Sequence, residues 1–168
     1  MINYFEFFGI DIAFDIDLAA LRKKFIAQSK AFHPDFHALD DSAAQEKMLE
    51  KSTHNNQGWK VLSDENKRIA HILDLHEALP KEGEAKVPQA FLMEMMDLNE
   101  ALMELEFGED PALKAKVSSD LDEMKASISG EAQSAMSDWD KNHDPASLEI
   151  IRDYYLKMKY LKRIEEKL

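Results

Sequence analysis

The chain has 168 residues, which suits one large domain or two small ones. Hydrophobic residues make up 45% of it, too many for a disordered chain, and the formal charge of −12 argues against a nucleic-acid binder, which needs a basic surface to displace counterions from phosphates. There is no cysteine, so disulfides, thiol nucleophiles and thiolate metal sites are excluded, and no run approaches the ~18 apolar residues of a membrane span.

The opening residues, MINYFEFFGI, lack the basic start and small-residue cleavage site of a secretory signal. They also lack the Arg- and Ser-rich character of a transit peptide, so a cytoplasmic protein is expected. An acidic chain of this kind suits basic protein partners better than nucleic acid or membrane.

Five glycines, five prolines and few β-branched residues make most of the chain read as helix. A short helix is predicted from Asn3 to Phe8, capped by Asn3 and stopped by Gly9. A second runs from Asp17 to Phe32, with Leu18, Leu21, Phe25 and Phe32 on one face. Pro34 must end it, since proline continues no helical hydrogen-bond ladder and disfavours helix in the residue before it. A third helix begins after Asp40-Asp41-Ser42 and runs to about Leu62; Ser63-Asp64 caps a fourth, from Glu65 to about His76. The stretch Leu79-Pro80-Lys81-Glu82-Gly83 reads as linker.

Beyond Pro88 three longer helices are predicted. The first covers Gln89 to Glu106, closed by Gly108. The second starts near Asp110-Pro111, with proline at the first helical position, and runs towards Trp139; Gly130, a poor helix former, falls in its middle. Asn142-His143-Asp144-Pro145 supplies the next turn and cap, and the last helix runs from about Ala146 onward. Short connections fold such helices back as an antiparallel bundle.

His33-Pro34-Asp35 sits between the second and third helices. Pro34 fixes one backbone angle, so His33 and Asp35 stand on a stiff corner that loses little entropy on binding, and Asp35 can accept charge-assisted bonds from an arginine. Taken with NYFEFFGI and LRKKFIAQSKAF before it and NNQGWKVLSDENKRIA after it, this stretch resembles a J domain over residues 1–75. The resemblance implies that His33, Pro34 and Asp35, with the basic residues Arg22, Lys23, Lys24 and Lys30 of the second helix, meet the ATPase domain of a DnaK-class chaperone. Many J domains carry lysine after the tripeptide; here Phe36-His37 follows, and that positive charge is absent.

The second half, with QAFLMEMMDLNEAL and the close RIEEKL, resembles the HscB-type co-chaperones of iron–sulfur cluster biogenesis, of the bacterial kind without a cysteine-bearing segment. That resemblance implies an IscU-type scaffold protein held by the C-terminal bundle and a dedicated HscA-type chaperone recruited by the J domain. Helical geometry adds an independent reading. At ~100° per residue, Phe91, Met95, Leu98, Leu102 and Leu105 form one stripe, the expected core face. Leu92, Met96 and Met103 form a second, with Met93, Asp97, Glu100 and Glu104 farther round on that side. A small bundle has difficulty burying both, so the second stripe is a candidate binding surface, apolar at its centre and acidic at its edge, where methionine adapts to a partner. In the last helix the main apolar face includes Ile151, Tyr154, Met158 and Leu161, whereas Leu156 and Tyr160 lie roughly opposite Ile151 and join the second stripe. In the family, positions matching Leu92, Met93, Met96, Glu100 and Tyr160 lie in the scaffold-binding patch.

The expected fold is therefore all-α: a J domain over 1–76 (a helical hairpin with its HPD loop), a linker over 77–88 and an antiparallel three-helix scaffold-binding bundle over 89–168. No enzyme, metal or cofactor is expected. Pro34 spoils the spacing of a His33–His37 metal pair, and Asp11, Asp15 and Asp17 lack the glycine and terminal glutamate of a calcium loop. His54, His71, His76 and His143 read as caps or surface residues. The alternative is a J-domain adaptor delivering a different client through the same N-terminal half.

Overall fold

In the computed structural model, residues 2–80, 87–108 and 110–168 are described. The chain divides into two units, Met1–His76 and Glu77–Leu168. Every regular element among the described residues is helical, and none of these helices is long and apolar enough to cross a membrane. Of the linker predicted over 77–88, residues 81–86 lie outside the described residues.

Caps set the first unit. α1, Tyr4–Phe8, starts where the Asn3 side chain accepts from the amides of Phe5 and Glu6, and ends at Gly9 with φ 58°, a left-handed turn that glycine adopts without strain. α2, Leu18–Ala31, is capped by Asp17; α3, Ser42–Leu62, by Asp41; α4, Glu65–Leu75, by Asp64. Between α2 and α3, Pro34–His37 form one 3-10 turn. α1 and α2 both pack on α3, which also packs on α4. The approach of α1 depends on Gly58: a Cβ there would stand 2.8 Å from the rings of both Tyr4 and Phe8.

Phe5, Phe8, Leu21, Leu62, Ile69 and Ile72 are buried, and Phe25 stacks on Trp59 with centroids 5.1 Å apart. Leu18, predicted on the buried face of α2, is exposed; it stands in the first turn, beyond the part of the helix that carries Leu21 inward. His71, read as a cap or surface residue, is buried. Its Nε2 accepts from the Tyr4 amide at 3.2 Å, its ring stacks near Phe5, and burial lowers its pKa below 6.5. Two other buried polar residues fasten backbone. Arg68 donates to the carbonyls of Phe14 and Leu62, and Asn55 donates to the Phe25 carbonyl and Ser29 hydroxyl.

In the second unit the predicted helix over 89–106 is two helices, α5 (Gln89–Glu94) and α6 (Met96–Phe107), joined at Met95 with φ −84° and ψ −3°. The Met95 carbonyl takes both the Asn99 amide at 2.9 Å and the Asn99 side-chain nitrogen at 2.8 Å. α7, Pro111–Asn142, starts from an Asp110 cap and runs unbroken through Gly130. His143, left-handed at φ 51°, and Asp144 turn the chain into α8, Pro145–Glu165. α7 packs against both α6 and α8. Phe91, Met95, Leu98, Val117, Leu121, Leu161 and Ile164 form one core cluster, and Trp139 and Ile151 are buried at the α7–α8 end. Lys125 pairs with Glu165 at 2.8 Å across α7 and α8.

Candidate functional site

The tripeptide corner is built from the end of α2. Phe32 caps the helix, and His33, extended at φ −65° and ψ 131° as a residue before proline prefers, leads into the 3-10 turn. The Asp35 amide donates to His33 Nδ1 at 3.2 Å. The Asp35 carboxylate lies 3.6 Å from the same Nδ1. The two side chains are 51% and 87% exposed, so neither contributes to a core.

Two residues hold this corner: His37, weighed from the sequence only as a metal partner for His33, and Gln45, which the sequence reading did not single out. His37 Nε2 lies 2.8 Å from the Ala31 carbonyl and Nδ1 lies 2.7 Å from Asp40. A carbonyl and a carboxylate only accept, so both ring nitrogens must donate, which the imidazolium alone can do. The bond to Ala31, followed by that to Asp40, raises the His37 pKa above 6.5. From the other side, Gln45 of α3 donates to the carbonyls of Ala38 and Asp40. The loop is thus pinned to α2 by His37 and to α3 by Gln45. Beside it, Phe36, Leu39 and Leu49 are exposed, and a hollow of about 580 Å³ runs past Pro34, Asp35 and Leu49.

Of the basic residues predicted on α2, Arg22, Lys23 and Lys30 are exposed, and Lys24 has a structural task. Its ammonium donates to the carbonyls of Phe8 and Gly9, each at 2.9 Å, satisfying backbone acceptors at the end of α1. Lys24, itself exposed, therefore also ties α2 to the end of α1.

In the second unit, Leu92, Met93, Met96 and Met103 are exposed, as are Asp97, Glu100 and Glu104. The core stripe separates from them despite the break at Met95: Phe91, Met95 and Leu98 are buried. Phe107, which the sequence reading passed over, is also exposed; it stands eleven residues after Met96, within about 20° of it on the helix. It extends the apolar line of Met96 and Met103. Tyr160 is half-buried. Its ring meets Phe91 edge-on at 5.9 Å and its hydroxyl accepts from Asn99 at 3.1 Å, so it ties α8 to the α5–α6 junction. Leu156 does not join the stripe. It is 8% exposed and lies by the segment Glu77–Pro80, whose irregular backbone gives no periodic signal of where it packs.

Among the described residues no group of three or more His, Asp or Glu side chains gathers as a metal site. The arrangement comprises one rigid polar corner and one apolar, acid-edged helix face.

A family model described as the HSCB C-terminal oligomerisation domain matches residues 87–168. The co-chaperone protein HscB homolog of Shewanella frigidimarina is 32% identical over 135 residues, 80% of this chain and 74% of that one. The homolog of Shewanella sp. strain ANA-3 is 34% identical over 110 residues, 65% of this chain, and the match spans 63% of the relative's length. The crystal structure of human co-chaperone protein HscB is alike in fold, with a TM-score of 0.76 over 99% of this chain and 80% of that one at 24% identity. The chain belongs to the HscB family of co-chaperones.

Proposed function

We propose that the chain stimulates the ATPase of a DnaK-class, HscA-type chaperone through His33, Pro34 and Asp35, and delivers an IscU-type iron–sulfur scaffold to it through the C-terminal bundle. The observation that carries the reading is the tripeptide corner: His37 and Gln45 fasten it on both sides, while the His33 and Asp35 side chains face solvent with no packing role. Such a corner is pre-organised for a partner and loses little freedom on docking. Arg22, Lys23 and Lys30 lie on the preceding helix, where they would steer an acidic surface towards it.

The scaffold would lie along Leu92, Met93, Met96 and Met103, with Glu100 and Glu104 at the margin and Tyr160 beneath. An acid-edged apolar face of this kind suits a partner with an apolar anchor and basic surroundings. The protein acts by binding, in the cytoplasm, without a catalytic group, cofactor, nucleic acid or membrane of its own.

Calorimetric titration of the full chain with an IscU-type scaffold protein tests the delivery half, and Leu92→Ala with Met96→Ala should weaken that binding severely. Absence of binding, with capture of another client in its place, would replace the scaffold by that client and leave the chaperone half of the proposal standing.

A further inference from the structure

Eight of the nine methionines lie among the described residues, and these divide sharply by exposure. Met95 and Met136 are buried; Met48, Met124 and Met158 are half-buried. Met93, Met96 and Met103 are 64%, 57% and 60% exposed, and all three stand on the short stretch of α5 and α6 that carries the apolar stripe. Among the described residues no other methionine is exposed to this degree.

Exposure matters because a thioether is the one apolar side chain of the stripe that a mild oxidant can turn polar. We propose that Met93, Met96 and Met103 form a reversible oxidation site through which peroxide releases the docked scaffold; the inference rests on the reading of the stripe as the scaffold's seat. In the step a sulfur lone pair attacks one peroxide oxygen, the O–O bond breaks and an S–O bond forms. The second oxygen leaves as water after proton transfer, so sulfur loses two electrons and peroxide gains them. A thiol-driven methionine sulfoxide reductase reverses the change and releases the oxygen as water.

The surroundings make the change unfavourable for docking. Each sulfoxide adds a strong acceptor that must be paired when the interface closes. Its exposed neighbours along the face are Leu92, which offers no donor, and Asp97, Glu100 and Glu104, whose carboxylates accept only. Met95, one residue away on the buried side, is shielded, so oxidation changes the docking face and spares the core.

The experiment treats the full chain with hydrogen peroxide, locates sulfoxides by peptide mass spectrometry and measures binding to an IscU-type scaffold protein by calorimetry. Binding is read before oxidation, after it, and after treatment with methionine sulfoxide reductases of both epimer specificities. The expected result is sulfoxide at Met93, Met96 and Met103 ahead of Met95 and Met136, affinity lowered about tenfold or more, and recovery after reduction, with the thermal unfolding midpoint unchanged throughout. Undiminished binding by protein carrying all three sulfoxides would overturn the inference alone. Loss of binding that tracks loss of helical signal, or oxidation of Met95 as fast as Met96, would overturn it equally. Failure of the untreated chain to bind the scaffold would overturn the functional reading of the stripe, and the inference with it.

Discussion

Met95 and Met96 are adjacent and chemically identical, one buried at the α5–α6 junction and the other exposed at the start of α6, and truncating each to alanine separates packing from docking. Met95 is 0% exposed and sits in the cluster of Phe91, Leu98, Leu121 and Leu161. Met95→Ala removes a fully buried thioether from a core that relaxes only in part, at a cost of ~2–5 kcal/mol. For a unit of this size each ~1 kcal/mol lowers the unfolding midpoint by ~4–8 °C, so a fall of about 8 °C or more is expected. Met96 is 57% exposed, and Met96→Ala should alter stability by no more than ~0.5 kcal/mol. Binding should reverse the order: as a central interface anchor Met96 is worth ~1–3 kcal/mol of scaffold affinity. Met95→Ala, corrected for its folded fraction, should bind nearly as the unaltered chain does. Urea unfolding followed by circular dichroism gives the first quantity and calorimetric titration with an IscU-type scaffold gives the second. If Met96→Ala unfolds as readily as Met95→Ala, or binds scaffold with undiminished affinity, the assignment of the two faces is wrong.

Lys23→Glu combined with Lys30→Glu should slow association with the chaperone and flatten its salt dependence in stopped-flow traces, because exposed charges act over ~8–10 Å. Lys24→Glu should instead loosen α1, read as faster amide exchange in Tyr4–Phe8, since the Lys24 ammonium holds the Phe8 and Gly9 carbonyls. Protonated His37 fastens the tripeptide loop, and its pKa is raised above 6.5 by the bonds to Ala31 and Asp40. The stabilisation is therefore complete below that ordinary value and is lost as pH rises through the raised one. Amide exchange across residues 34–40 should accelerate over that rise in the unaltered chain and stay flat in His37→Gln. Tyr160→Phe, which keeps the ring on Phe91 and removes the bond to Asn99, should cost ~1 kcal/mol of stability by urea unfolding.

Helix starts were legible because their signals are local: Asn3, Asp17, Asp41, Asp64, Asp110 and Asp144 each cap through their own side chains. The exposed stripe was legible from periodicity, since Leu92, Met96 and Met103 recur on one side of a helix whatever its partner. What escaped depends on contacts that no helical period signals. The break at Met95 leaves no mark in the apolar period, which carries Phe91, Met95 and Leu98 into one core across it. Lys24 reads as one more surface charge until α1 is seen to end beside it, and Leu156 reads as exposed until the segment Glu77–Pro80 is placed. His37 was weighed only as a metal partner for His33. Its bonds to Ala31, six residues back, and to Asp40, three residues on, belong to an irregular loop where no period applies.

The central claim is that this chain is a co-chaperone working through its tripeptide corner. Its most direct test is the steady-state ATPase rate of an HscA-type chaperone, measured with the unaltered chain and with His33→Gln, each with and without an IscU-type scaffold. The unaltered chain should raise the rate, and His33→Gln should leave it at the chaperone's basal level while still binding scaffold by calorimetry. Stimulation by His33→Gln equal to that of the unaltered chain would contradict the account.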